Sequence, residues 1–155
     1  MKKILYILAT AVALFAIAGC STGMHDGTQM YVTTVTITGL NNYTGYSYEG
    51  KTLILNGPFN GWSVWTTAAA PDAVVTDGSA TFTINAIISD PEFEFLIAPR
   101  TPGGTGDYDC DWDYKIGVNV GGDNVKLDNK WTGPVTEQKI KGTMTSNGDV
   151  SWDYE

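Results

Sequence analysis

The sequence predicts an all-β protein, and three observations carry that expectation. Short runs rich in β-branched and aromatic residues alternate apolar with polar along the chain. Gly, Asn, Asp and Pro punctuate those runs at intervals of about eight to twelve residues. Beyond residue 19, no segment keeps the 3.6-residue apolar period of a helix for three turns. Seven to eight such strands in one chain point to an antiparallel β-sandwich of the immunoglobulin-like type.

The chain divides into three parts. Residues 1–19 read as a leader. Lys2 and Lys3 form its basic start, and residues 4–17 are an apolar run too short for an ordinary membrane span. Ile17-Ala18-Gly19-Cys20 is similar to the lipobox of bacterial lipoproteins. That resemblance implies cleavage after Gly19, acylation of Cys20, and a lipid anchor in the bacterial outer membrane, on its surface or periplasmic face. The alternative is a plain secretory signal beside a chance cysteine. Residues 20–30 are small and polar, as expected of a flexible tether, and they contain the single histidine, His25. Residues 31–155 remain as one domain.

The strands follow in order. Residues 31–38 place Val35 and Ile37 inward and Thr34, Thr36 and Thr38 outward. Residues 41–50 form a loop bearing Tyr43, Tyr46 and Tyr48. Residues 52–56 make the second strand, ended by the turn chemistry of Asn56-Gly57-Pro58. Residues 73–76 and 79–84 flank Asp77-Gly78, the signature of a type I′ hairpin, with Phe82 and Ile84 on one face. Phe93, Phe95 and Ile97 point inward from the next strand, and Glu92 and Glu94 outward. Residues 107–116 alternate strictly and read as a further strand, followed by a short one at 124–127. A terminal hairpin joins 135–145 to 149–154, setting Ile140 and Met144 against Val150 and Trp152.

Charge excludes whole classes of function. The chain carries a net charge of −8, and loss of Lys2 and Lys3 would make it more negative still. Nucleic acid is not an expected partner, because phosphate contacts need a basic surface. Any membrane attachment would come from the lipid rather than from charge. With Cys20 acylated, Cys110 would have no partner and reads as a buried small hydrophobe.

Asp107, Asp109, Asp111 and Asp113 alternate through 107–114. As a metal site they would suit calcium, which takes several carboxylate oxygens. The EF-hand spacing fails, however: no Gly stands at the sixth position and no Glu at the twelfth. On a strand the four would form a solvated acidic face, with Tyr108, Cys110, Trp112 and Tyr114 opposite. The solvated face is the preferred reading. No zinc spacing, phosphate loop or histidine-based catalytic set is present in the sequence, so neither an enzyme nor a cofactor is expected.

The aromatics remain. Five tryptophans are many for one domain. Trp152 alternates with Val150 in the last strand and reads as core. Trp62 and Trp131 lie in Gly/Asn-rich stretches, where a core role is harder to argue. An indole face stacks on the C–H face of a sugar ring, whose hydroxyls then need planar polar partners. Asn60, Arg100, Lys115 and Asn124 are such partners by sequence proximity. The competing reading is that Trp62 and Trp65 plug the end of the sandwich.

Several short motifs share a family likeness. Gly57-Pro58-Phe59-Asn60-Gly61-Trp62 resembles the G-x-F-N-x-W turn of glycogen- and starch-binding early-set modules. Asp77-Gly78 with residues 80–84 resembles their hairpin, and Phe93-Glu94-Phe95 their Y/F-K-F strand, with Glu94 in place of Lys. Residues 112–117 and 121–125 are similar to a run in SusE/SusF-type starch-binding outer-membrane lipoproteins. The resemblance covers about residues 50–128. It implies non-catalytic binding of a polysaccharide or oligosaccharide, most readily an α-glucan. Trp62 and Trp112 would stack sugar rings, with Trp65, Trp131 and Tyr114 behind them, and Asn60, Lys115 and Asn124 would bind hydroxyls. The alternative is a structural lipoprotein that binds another envelope protein, using the loop of Tyr43, Tyr46 and Tyr48.

Overall fold

The computed structural model describes residues 31–62, 71–86, 91–102, 109–130 and 137–155. Two four-stranded sheets pack face to face, as an all-β sandwich requires. The first has the order β4-β1-β7-β8, with β1 Tyr31–Thr38, β4 Ala80–Ala86, β7 Glu137–Met144 and β8 Val150–Tyr154. The second has the order β3-β2-β5-β6, with β2 Thr52–Asn56, β3 Asp72–Val74, β5 Glu92–Pro99 and β6 Val125–Asp128.

This pairing is immunoglobulin-like: β1 and β4 neighbour each other in one sheet, and β3, β2, β5 and β6 lie in sequence across the other. One strand departs from a fully antiparallel plan. β7 runs parallel to β1, with Val35 opposite Ile140. The position beside β1 is thus filled from the C-terminal end of the chain.

Alternation places the core as expected. Val35, Ile37, Leu53, Leu55, Phe82, Phe93, Phe95, Ile97 and Ile140 are buried between the sheets. At about 25 cal/mol per Å² of apolar surface removed from water, such side chains dominate the stabilisation. Phe93 packs on Phe59 and Phe95, and Phe95 meets the Trp152 ring edge-on at 5.0 Å. Trp152 is half-buried and lies opposite Gly142, where only the missing Cβ leaves room for the indole.

Three expectations need correction. Residues 76–79 form the Asp77-Gly78 turn with positive φ at both positions, as type I′ demands. The flanking strands part at once, however: β3 joins β2 and β4 joins β1, so the turn links the two sheets. The loop of Tyr43, Tyr46 and Tyr48 is not an exposed aromatic surface. Tyr48 lies fully in the core, its hydroxyl donating to the Tyr114 carbonyl at 2.9 Å, and Tyr46 stacks on Tyr114 at 4.0 Å.

The third correction is residues 109–116, which do not form a continuous strand. They run beside β5 in pieces: Cys110 bridges Arg100, Ile116 bridges Ile97, and a single 3₁₀ turn, Trp112–Tyr114, lies between. That turn resets the side-chain phase. Trp112 covers the outside of the second sheet while Tyr114 packs toward the main core, so Asp/aromatic alternation does not translate into two faces.

Candidate functional site

The site is built on the outer face of the second sheet. Ile54 from β2 and Leu96 and Ala98 from β5 point away from the main core, yet all three are buried. Cys110 and Trp112 cover them, forming a small second core. An apolar patch on an outer sheet face needs such a cover, which explains why the chain folds across it there. Cys110 is accordingly buried, as its sequence context suggests.

Toward the β6 edge of that sheet, the surface becomes polar. Glu94 on β5 pairs across the strands with Lys126 on β6. Its Oε1 accepts from Asn124 Nδ2 at 2.8 Å and lies 3.9 Å from Lys126 Nζ. Glu94, Lys115, Asp123, Asn124 and Lys126 line an open pocket of about 590 Å³. Two carboxylates, two ammonium groups and an amide therefore converge on one depression, with donors and acceptors in balance.

The Trp62 turn backs onto the same strand. A Cβ on Gly57 would stand 2.6 Å from the Glu94 carbonyl oxygen, so only glycine lets the turn sit this close to β5. Residues 58–60 form a 3₁₀ turn, and Gly61 follows with φ 64°. Trp62 also has positive φ, 60°, which is rare for a bulky side chain. Two hydrogen bonds hold it there: its N–H donates to the Gly57 carbonyl at 3.0 Å, and its carbonyl accepts from Asn56 Nδ2 at 3.2 Å. The residue is exposed, at 38%. A bulky residue held at positive φ and still left exposed is in a costly conformation that core packing does not account for.

The predicted site residues are thus distributed unevenly. Lys115 and Asn124 share the pocket, and Trp62 stands on the turn packed against Glu94. Trp112 is half-buried over Leu96 and its neighbours. Asn60 is buried, and its Oδ1 accepts the Gly57 N–H at 3.0 Å, so it closes the turn from inside. Tyr114 is half-buried in the tyrosine stack. Trp65, Trp131, Asp107 and Cys20 fall outside the described residues. Asp111 Oδ2 accepts the Tyr46 hydroxyl at 2.5 Å, Asp113 is exposed, and no cluster of three metal-ligating side chains occurs among the described residues.

Sequence reasoning missed Asn56, Glu94, Asp123 and Lys126. Glu94 and Lys126 become a site only through the β5–β6 register, which aligns opposite charges from residues far apart in sequence. Asn56 is buried at the end of β2, and among the described residues its Oδ1 has no partner. No protein-family model, no curated protein and no solved structure matches the chain.

Proposed function

We propose that this domain is a non-catalytic carbohydrate-binding module of an envelope lipoprotein. Its ligand is a polysaccharide or oligosaccharide, an α-glucan on the strength of the motif resemblance. One observation carries the reading: Trp62 is exposed on a backbone turn that the chain constrains with Asn56, Gly57 and Asn60. The indole would stack on the apolar face of a sugar ring. The pocket that includes Glu94, on the strand against which the Gly57 turn packs, would offer an amide and charged groups to its hydroxyls, and hydrogen bonds to the charged groups are the stronger class. Trp112 contributes through the exposed part of its ring while its other face holds the outer patch together. An open platform buries little ligand surface, so binding is weak.

The test is intrinsic tryptophan fluorescence of the full chain in mild detergent during titration with maltoheptaose, with cellohexaose as the control sugar. The expected result is a saturable change with the α-glucan only. Trp62→Ala should weaken it about tenfold or more, the equivalent of about 1.4 kcal/mol of lost stacking. A flat response to both sugars overturns the reading.

A further inference from the structure

Each sheet of a sandwich has two edge strands, whose unpaired backbone groups invite another strand unless something blunts them. Three of the four edges here are blunted. β3 is only three residues long and begins with Asp72. β6 carries Lys126 and Asp128. β8 carries Asp153, and its start is stitched to residues 118–119 by the Val150 N–H to Val118 carbonyl bond and the Asn119–Asp149 bridge. β4 has none of these devices. It is seven residues long, uncharged and free of proline, and among the described residues its only backbone partner is β1.

We propose that the edge of β4 left unpaired among the described residues is an interface through which two copies of this chain pair by antiparallel strand addition. Ala80-Thr81-Phe82-Thr83-Ile84-Asn85-Ala86 reads nearly the same in both directions about Thr83. A two-fold axis there sets Thr83 opposite the partner's Thr83, Thr81 opposite the partner's Asn85, and Ala80 opposite the partner's Ala86. A symmetric dimer requires this self-complementarity. Thr81, Thr83 and Asn85 are exposed on the outer face, where hydroxyl and amide pairs form well across strands. Charge selects the same edge. In a molecule with net charge −8, β4 lets two copies meet without opposing carboxylates. A seven-residue strand pair buries less than the roughly 1,200–2,000 Å² of a stable complex, so the dimer forms at high local concentration.

The test uses cysteine cross-linking of the full chain in mild detergent. Across the axis, the two Thr83 Cα atoms stand about 4.5–5.5 Å apart, within disulfide reach. Thr83→Cys should form a covalent dimer under mild oxidation at least tenfold faster than Thr143→Cys, an exposed control on the same sheet. Mixing Thr81→Cys with Asn85→Cys should give a heterodimer. Thr83→Lys, which opposes two ammonium groups at the axis, should leave the chain monomeric in sedimentation with an unchanged circular dichroism spectrum. Equal cross-linking at Thr83 and Thr143, or a dimer that survives Thr83→Lys, overturns the proposal. A flat sugar titration has no bearing on it.

Discussion

At the scale of single residues, the glycines separate two kinds of constraint that sequence cannot distinguish. Gly61 lies in open space but at φ 64°, whereas Gly117 has ordinary φ but would place a Cβ 1.8 Å from the Asp123 carbonyl oxygen. Gly61→Ala should therefore cost about 1–2 kcal/mol, the price of a left-handed alanine. Gly117→Ala forces backbone against backbone and should cost about 3 kcal/mol, at the upper end of overpacking losses. Urea midpoints of the two variants test the ranking. Asn56 offers a second case. Asn56→Ala removes the side-chain bond to the Trp62 carbonyl and should loosen the backbone that carries the indole, so the proposed sugar affinity should fall further than stability. Fluorescence titration set beside the urea curve reads that split. Trp62 itself was legible as a candidate, because it followed Asn60-Gly61 in a stretch with no strand pattern. Asn60 was legible only as a polar residue near it. Its burial against the Gly57 N–H is a property of the turn's geometry, which residue type alone does not specify.

At the scale of elements, legibility followed the period-two pattern wherever a strand had one face in the core. β1, β4 and β7 obey it because their outer faces meet water. β5 breaks it, with Leu96 and Ala98 buried on the outer side as well, and the broken alternation marks the face that the 109–116 segment covers. That segment carried an even clearer alternation of its own and yet is not a strand, because the 3₁₀ turn sends Trp112 and Tyr114 to different cores. Tyr114 goes to a cluster with Tyr46 and Tyr48, and the cluster has a pH signature. Burial, reinforced by the Asp111 bond and charge, pushes the Tyr46 hydroxyl well above its ordinary pKa. Burial and the neighbouring tyrosines do the same for Tyr48. Burial beside Asp128 pushes Tyr154 up to about 12. The folded state thus holds these protons more tightly than the unfolded chain, whose tyrosines ionise near pH 10. Their contribution is complete below about pH 10 and is lost as pH rises through the folded values. The urea midpoint should fall steeply between pH 10 and pH 12, and the fall should be smaller in Tyr46→Phe.

At the scale of the whole molecule, the two sheets depend on contacts between the ends of the described chain. β1 has β4 on one side and β7 on the other, and the β7 pairing joins residues more than a hundred positions apart, as in Val32 opposite Glu137. β7 and β8 also bring Ile140, Met144 and Val150 into the main core. Gln138 adds a buried bond from its Nε2 to Thr33 Oγ1 at 2.9 Å and accepts the Lys130 N–H through Oε1. The C-terminal hairpin is therefore part of the core rather than an appendage. A chain ending at Lys130 would leave β1 as an edge with Val35 and Ile37 uncovered on that side. It should show no cooperative thermal transition, whereas the full chain should melt as one unit. Calorimetry of both distinguishes the cases: a sharp transition in the shortened chain would mean that β2, β3, β5 and β6 with the β1–β4 pair already form a self-sufficient domain. The same long-range pairing predicts slow folding, on the millisecond-to-second scale of non-local β topologies. Gln138→Ala, which strands the Thr33 hydroxyl and the Lys130 N–H, should mainly speed unfolding if the β1–β7 pairing closes last. Folding and unfolding limbs measured by stopped-flow fluorescence would place that step, and a variant that slowed folding instead would put the β1–β7 pairing in the nucleus.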